Sequence, residues 1–350
     1  MESVLSLPIQ QQRKVAAIVG ACVADAAAQP LHWIYKDEVM HKLTDGVEEI
    51  EFWEPSANPY YRIDNGKNTC YGDQGYVVLK SLVESGGLNT DHLIQTTYET
   101  FGPDSDYENK ETNQYAVGKE SKTDIKPSLP IYAPWRHGCI KDFLKNLQEK
   151  KSPPGSLTDD QIDCAIRIIP VTALYAGHPD LLVKVEEALR VLQNCDLPVA
   201  VGLALARVLE QYILNGNPED VLATVVSALS DHNRKNPQDL DATVSGHITK
   251  VIQARTTPHI EAVTKVFKNN CHLPEAMQSA LHGVITATSY VEGIRTTMLA
   301  GGCNASRSGF IGACLAAKEG FESIPERWRS KTLRYDEVLQ LALKLVHIKV

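Results

Sequence analysis

The stretch from Ala300 to Ala317 constrains the chain more than any other. It opens on the glycine pair Gly301-Gly302, passes through the short polar residues Asn304 and Ser306, and closes on Ser308, Gly309, Gly312, Ala313, Ala316 and Ala317. Glycine allows a sharp turn or a close approach of backbones. Short polar side chains at a helix start accept bonds from N–H groups that have no partner inside the helix. Small residues four apart leave a smooth helix face. The pattern therefore describes a tight turn feeding a buried helix. Two uses fit it: a close crossing of two helices, or a ligand site at the helix N-terminus.

The rest of the chain reads as helix. Gln11 to Ala28 has apolar residues at Val15, Ile18, Val19, Cys22, Val23 and Ala26, with Ala and Gly between them. Asp25 is the single acid inside it, and a buried carboxylate needs hydrogen bonds, a counter-charge or a cation. Glu48 to Tyr71 is irregular, with aromatics at Phe52, Trp53, Tyr60, Tyr61 and Tyr71, as a loop covering a site would be. Tyr71 to Gly75 leads into a helix over Tyr76–Ser85, which places Asp73 and Gln74 at its start, Asp73 in the position of an N-cap. Asp91 to Gly102 is helical, and the polar segment Pro103 to Trp135 is loop-like. Thr158-Asp159-Asp160-Gln161 has the spacing of a capping box and predicts a helix from Thr158 through Tyr175. Further amphipathic helices follow over Pro179–Asn194, Leu197–Asn215, Pro218–Ala228, Asp241–Ala254, Pro258–Phe267, Pro274–Ser289 and Val291–Ala300. No alternating run bounded by hairpin residues and no fixed repeat interrupts them. About a dozen helices in one 350-residue chain predict an all-α fold, a single globular orthogonal helix bundle over residues 1–350.

The formal net charge of −8 argues against a nucleic-acid or anionic-membrane surface. The first residues lack the features of a signal peptide. The longest apolar run, Leu197 to Leu209, contains Arg207 and falls short of the ~18 residues of a membrane span. Eight cysteines are scattered without zinc-ligand spacing, as reduced, mostly buried thiols of a cytoplasmic protein would be.

Four segments, in order, resemble the ADP-ribosylglycohydrolase family. Gly20 to Pro30 (GACVADAAAQP) is similar to its first Gly-Asp-Ala signature, with Asp25 on the Asp. Tyr71 to Glu84 (YGDQGYVVLKSLVE) stands where the family has Thr-Asp-Asp-Thr, with Asp73 on the second Asp and Tyr71, Gly72 and Gln74 replacing the others. Asp163 to Pro170 (DCAIRIIP) resembles the ligand-binding turn that ends Met-Arg-x-x-Pro, with Arg167 and Pro170 retained. Gly301 to Ala317 is similar to the Gly-Gly-Asp-Thr-Asp-Thr signature, with Gly301 and Gly302 retained, Cys303 and Ala305 in place of the two acids, and Ser306 for the last Thr. The phrases PWRHG, LTDDQID, YAGHPD, NCHLPEAMQSALH, GGCNASR and IPERW resemble the J-crystallin lens branch and its relative selenoprotein J.

The resemblance implies an all-α fold with a central cleft for two divalent ions, usually Mg²⁺. Mg²⁺ takes roughly six oxygen ligands, with carboxylates supplying the charge. By position this chain keeps one of four carboxylates, Asp73, as a vestigial ligand; Cys303 offers soft sulfur and Ala305 nothing. Thr158-Asp159-Asp160 looks like the metal motif but lies just before the Arg167 turn and lacks the helix that should follow. The expectation is therefore a structural lens crystallin, a pseudoenzyme without a metal cofactor. The alternative is a Mg²⁺-dependent hydrolase of ADP-ribose glycosidic bonds, or a residual ADP-ribose-binding pocket shaped by Asp25, Gln74, Arg167, Gly301, Gly302, Cys303, Asn304, Ser306 and Arg307. A third reading makes Cys303 a nucleophile at a helix N-terminus, with His32, His137 or His282 as a base.

Overall fold

The small-residue faces of the first and the fourteenth helix are partners. A Cβ added at Gly20 would lie 2.5 Å from Ala316 Cβ and 2.6 Å from the Gly312 carbonyl; one at Gly312 would lie 2.7 Å from both Ala24 Cβ and the Gly20 carbonyl. Two backbones can approach this closely only where side chains are absent.

The computed structural model describes residues 3–108 and 128–350. Sixteen helices occur among them: α1 Ile9–Ala28, α2 Asp37–Thr44, α3 Cys70–Ser85, α4 Thr90–Phe101, α5 Gly138–Gln148, α6 Cys164–Tyr175, α7 Leu181–Arg190, α8 Asp196–Asn215, α9 Val221–Ser230, α10 Asp241–Gln253, α11 His259–Glu261, α12 Glu275–Thr286, α13 Tyr290–Leu299, α14 Asn304–Glu319, α15 Glu326–Lys331 and α16 Tyr335–Leu345. A π-helical turn, Ala262–Phe267, extends α11. Extended pairing among the described residues is confined to isolated bridges, such as Ile34 with Gly302. The fold is all-α. Helix α1 contacts α3, α6, α8, α13, α14 and α16, so it forms a central element of the bundle. One hydrophobic cluster runs from Val4 to Val346.

Two helix starts differ from the sequence expectation. Helix α3 begins at Cys70, ahead of Gly72, because Thr69 Oγ1 accepts from the Tyr71 N–H at 3.1 Å; Thr69, not Asp73, is the N-cap. Helix α6 begins at Cys164, six residues after Thr158. The acidic stretch before it is a loop: Ser156 Oγ accepts from the Thr158 and Asp159 N–H groups at 3.3 and 3.1 Å, and Asp159 Oδ1 accepts from the Gln161 N–H at 3.2 Å. Ser and Asp side chains compete with helix formation in this way, so the capping-box spacing forms turns instead. Part of the predicted loop Pro103–Trp135 lies outside the described residues.

Two helices, over Ile9–Leu31 and Asp196–Asn215, are long and apolar enough to cross a membrane by length and composition. Both are mostly buried among the other helices. Within α8, Arg207 donates to the Leu203 and Lys235 carbonyls.

Candidate functional site

The glycine pair links α13 to α14. Both residues are left-handed, with φ of +66° at Gly301 and +59° at Gly302. A Cβ at Gly302 would lie 1.9 Å from the Asn269 carbonyl, and one at Gly301 2.6 Å from the Ile34 carbonyl. Gly302 donates to Ile34 O at 2.7 Å and accepts from the Trp33 N–H at 2.8 Å; the Cys303 N–H donates to Asn269 O at 2.8 Å. Other backbone, rather than a ligand, crowds this turn. Asn304 Nδ2 donates to Leu31 O and Met298 O. Arg307 donates to Thr297 Oγ1 and to the carbonyls of Thr297 and Gly301. It is fully buried, and burial pulls its guanidinium down to about 10. Three of its donor contacts hold the end of α13 and the turn, while Nη1 is buried without a partner among the described residues.

The buried side chains around Cys303 form one polar cluster. Its Sγ lies 3.2 Å from Tyr71 Oη, 3.1 Å from Ser306 Oγ and 3.6 Å from His32 Nε2. His32 Nδ1 is 2.9 Å from Tyr61 Oη. Burial and the neighbouring His137 and Arg307 hold the His32 ring neutral, far below its usual range. Burial raises the Cys303 thiol, but hydrogen bonds from Cys271, Ser306 and Tyr71 and the charge of Arg307 outweigh it and bring the group to about 7. The aromatic loop packs beside this cluster. Tyr60, Tyr61 and Trp135 stand edge-on to Trp33 at centroid distances of 5.5, 5.5 and 5.7 Å, and His32 stacks on Trp33. His282 lies apart from the cluster, 3.0 Å from His259.

Asp73 is engaged elsewhere. Its carboxylate accepts from Tyr107 Oη at 2.6 Å and pairs with Arg334, just before α16. A cavity of about 220 Å³ opens beside it, lined also by Lys67, Asp106 and Glu337 but not by Cys303 or Ala305. A Cβ at Gly72 would meet Asp25 Oδ2 at 2.4 Å, so position 72 faces the Asp25 carboxylate. Asp25 accepts from Thr69 Oγ1 at 2.6 Å, from the Thr69 N–H at 2.8 Å and from Asn68 Nδ2 at 3.0 Å. Burial raises it to about 6 against the pull of these donors. It braces the start of α3 and is not part of the Cys303 cluster.

Gln74 and Arg167 belong to a third group. Gln74 Nε2 donates to Asp163 Oδ1 at 2.6 Å, and His137 Nδ1 lies 2.5 Å from the same oxygen. Burial opposes charge on the imidazole, but Cys70 and Asp163 beside it outweigh that and hold it well above its usual range. Burial opposes charge on Asp163 too, yet His137 brings it down to about 2. Arg167 donates to Gln193 Oε1. Ligand atoms of Cys139, Asp159 and Asp163 lie within 4.8 Å of one another. The sequence does not pair Asp163 with His137: it shows Asp163 as the acid opening the DCAIRIIP turn and His137 only as a candidate base for Cys303.

The residues the sequence grouped into one pocket thus divide. Gly301, Gly302, Asn304 and Arg307 build the turn; Cys303 and Ser306 share a buried polar cluster; Asp73, Gln74 with Arg167, and Asp25 have separate partners. The donors around Cys303 are sulfur, hydroxyl and imidazole, a poor set for a hard cation such as Mg²⁺.

A family model described as ADP-ribosylglycohydrolase matches residues 6–349. Crystallin J1A of Tripedalia cystophora is 35% identical over 336 residues, covering 96% of each chain. Crystallin J1B of the same organism is 34% identical over 339 residues, 97% of each. Among solved structures, a chain of an ADP-ribosylglycohydrolase-related protein complex superposes with a TM-score of 0.64 at 17% identity, covering 98% of this chain and all of that one. That last likeness concerns the fold alone.

Proposed function

Because the chain belongs to the ADP-ribosylglycohydrolase family, we propose that it uses the family's fold as a structural protein of the crystallin type, cytoplasmic and without the family's hydrolase chemistry. The observation that carries this reading is the fate of the acidic positions. Asp73 is held by Arg334 and Tyr107, while Cys303 and Ala305 stand where the resemblance puts the two acids of the last signature. A two-metal hydrolase clamps the reacting group between two cations and draws its nucleophile from a bound water, so it needs several carboxylates on one cleft. The relatives named crystallins support the structural role over nearly the whole chain. The groups that would meet a diphosphate also argue against ADP-ribose. The turn before Arg167 carries Asp159 and Asp163, whose charge opposes a diphosphate.

Calorimetry with Mg²⁺, paired with turnover assays on ADP-ribosylated arginine and serine peptides, tests the reading. The expected result is no saturable binding below millimolar Mg²⁺ and no release of ADP-ribose. Two ions bound at micromolar affinity, or measurable release, would overturn it. A thermal-shift titration with ADP-ribose is expected to show no stabilisation at millimolar ligand.

A further inference from the structure

Three ligand-bearing side chains meet where the starts of α5 and α6 converge. Cys139 lies in the first turn of α5, Asp163 just before α6, and Asp159 in the loop ahead of it. Their ligand atoms lie within 4.8 Å of one another, with Cys139 Sγ 3.5 Å from Asp163 Oδ1. Cys139 and Asp163 are buried, at 0% and 1% exposure, and Asp159 is partly exposed. Each carboxylate has one oxygen held by neighbours. Gln74 Nε2 and His137 Nδ1 contact Asp163 Oδ1 at 2.6 and 2.5 Å. Gln193 Nε2 and the Gln161 N–H donate to Asp159 Oδ1 at 2.7 and 3.2 Å. The second oxygen of Asp163, Oδ2, is buried with no hydrogen-bond partner among the described residues. A bare carboxylate oxygen in the interior is costly, and a cation beside it removes that cost.

We propose that Cys139, Asp159 and Asp163 bind one divalent transition-metal ion of the zinc class. Zn²⁺ accepts sulfur and carboxylate oxygen together in a tetrahedral set, whereas Mg²⁺ takes roughly six oxygens. Three protein ligands leave a fourth position for water, and the partly exposed Asp159 gives the ion its way in. Binding sends the Cys139 proton to solvent, and the start of α5 favours the thiolate that remains. The outer partners are already in place: Gln74 and His137 orient Asp163, and Gln193 orients Asp159. A thiolate and two carboxylates leave a divalent ion with one surplus negative charge. Arg167, linked to Asp159 through Gln193, supplies positive charge to offset it. The site shares no residue with Asp73, Cys303 or Ala305, and its ion ties the start of α5 to the start of α6.

The test is titration of the reduced, full-length, metal-stripped protein with Co²⁺, followed by optical absorption. The expected result is one equivalent bound with a sulfur-to-cobalt charge-transfer band, displaced by equimolar Zn²⁺ and unmoved by millimolar Mg²⁺. The band should vanish in Cys139→Ser. It should persist in Cys195→Ser, whose thiol donates to the Asp159 carbonyl and is the neighbouring sulfur that could bind instead. Asp159→Asn keeps the Oδ1 acceptor for Gln193 and Gln161, so it should fold normally and bind Co²⁺ at least about tenfold more weakly. Absence of the band in the native sequence would overturn the proposal. So would a band that survives in folded Cys139→Ser or is lost in Cys195→Ser, or an unchanged affinity in Asp159→Asn, a result that decides the matter even where Cys139→Ser does not fold.

Discussion

At Asp25 three donors converge on one carboxylate: the Thr69 hydroxyl, the Thr69 N–H and the Asn68 amide. An amide at this position would turn an N–H toward at least one of them. Asp25→Asn is therefore expected to lower the unfolding free energy by about 1–3 kcal/mol near pH 4 and by less at pH 7, measured by denaturant titration. The same group has a pH signature. Its folded value of about 6 lies above the ordinary 3.8, so between those values the native chain holds a proton that the unfolded chain has released. The stability it adds is full below pH 3.8 and is lost as pH rises through 6. Asp25→Asn should lack that fall. The sequence showed that Asp25 needed partners, because an acid on an apolar helix is recognisable from its neighbours. It did not show that the partners would be the cap of another helix, since Thr69 lies 44 residues away. Arg307 is the converse case. Its place after the glycine pair put it among the residues of a candidate pocket, and only the packed turn shows two backbone carbonyls and Thr297 Oγ1 accepting from it.

Among elements, the α1–α14 crossing decides how the rest can pack. Gly312→Ala adds a methyl that favours helix by about 1 kcal/mol but sets it 2.7 Å from the Gly20 carbonyl, where neither backbone can yield without moving a helix. The expected net outcome is a loss of about 1–3 kcal/mol and a lower melting temperature, read by circular dichroism. Gly246→Ala is the control: nothing lies within 4 Å of its Cβ position on α10, so only the helical gain should remain. Both smooth faces were visible in the sequence, because small residues four apart are a local pattern. Their mutual pairing was not, because many helices could have covered either one. The start of α6 was misread for a related reason. Ser156, just upstream of the Thr–Gln spacing, supplies the acceptor that turns the chain before a helix can begin.

At the scale of the whole molecule, 43 acidic and 35 basic side chains give a net charge of −8 and a sequence pI near 5.8. Self-repulsion should keep concentrated solutions clear at pH 7 and weaken as that charge is titrated away. Static light scattering is expected to show net repulsion at pH 7 and a turbidity maximum close to pH 5.8. Sustained helical periodicity, absent strand signals and small-residue faces made the all-α fold legible from the chain alone, because each is a pattern over neighbouring residues. What tertiary structure alone decided is who faces whom: that Asp73 pairs with the start of α16, that Gln74 joins His137 and Asp163, and that Tyr71 and His32 meet Cys303. A site is made where distant segments converge, and the position of that convergence depends on how the helices pack, not on the order of residues along any one of them.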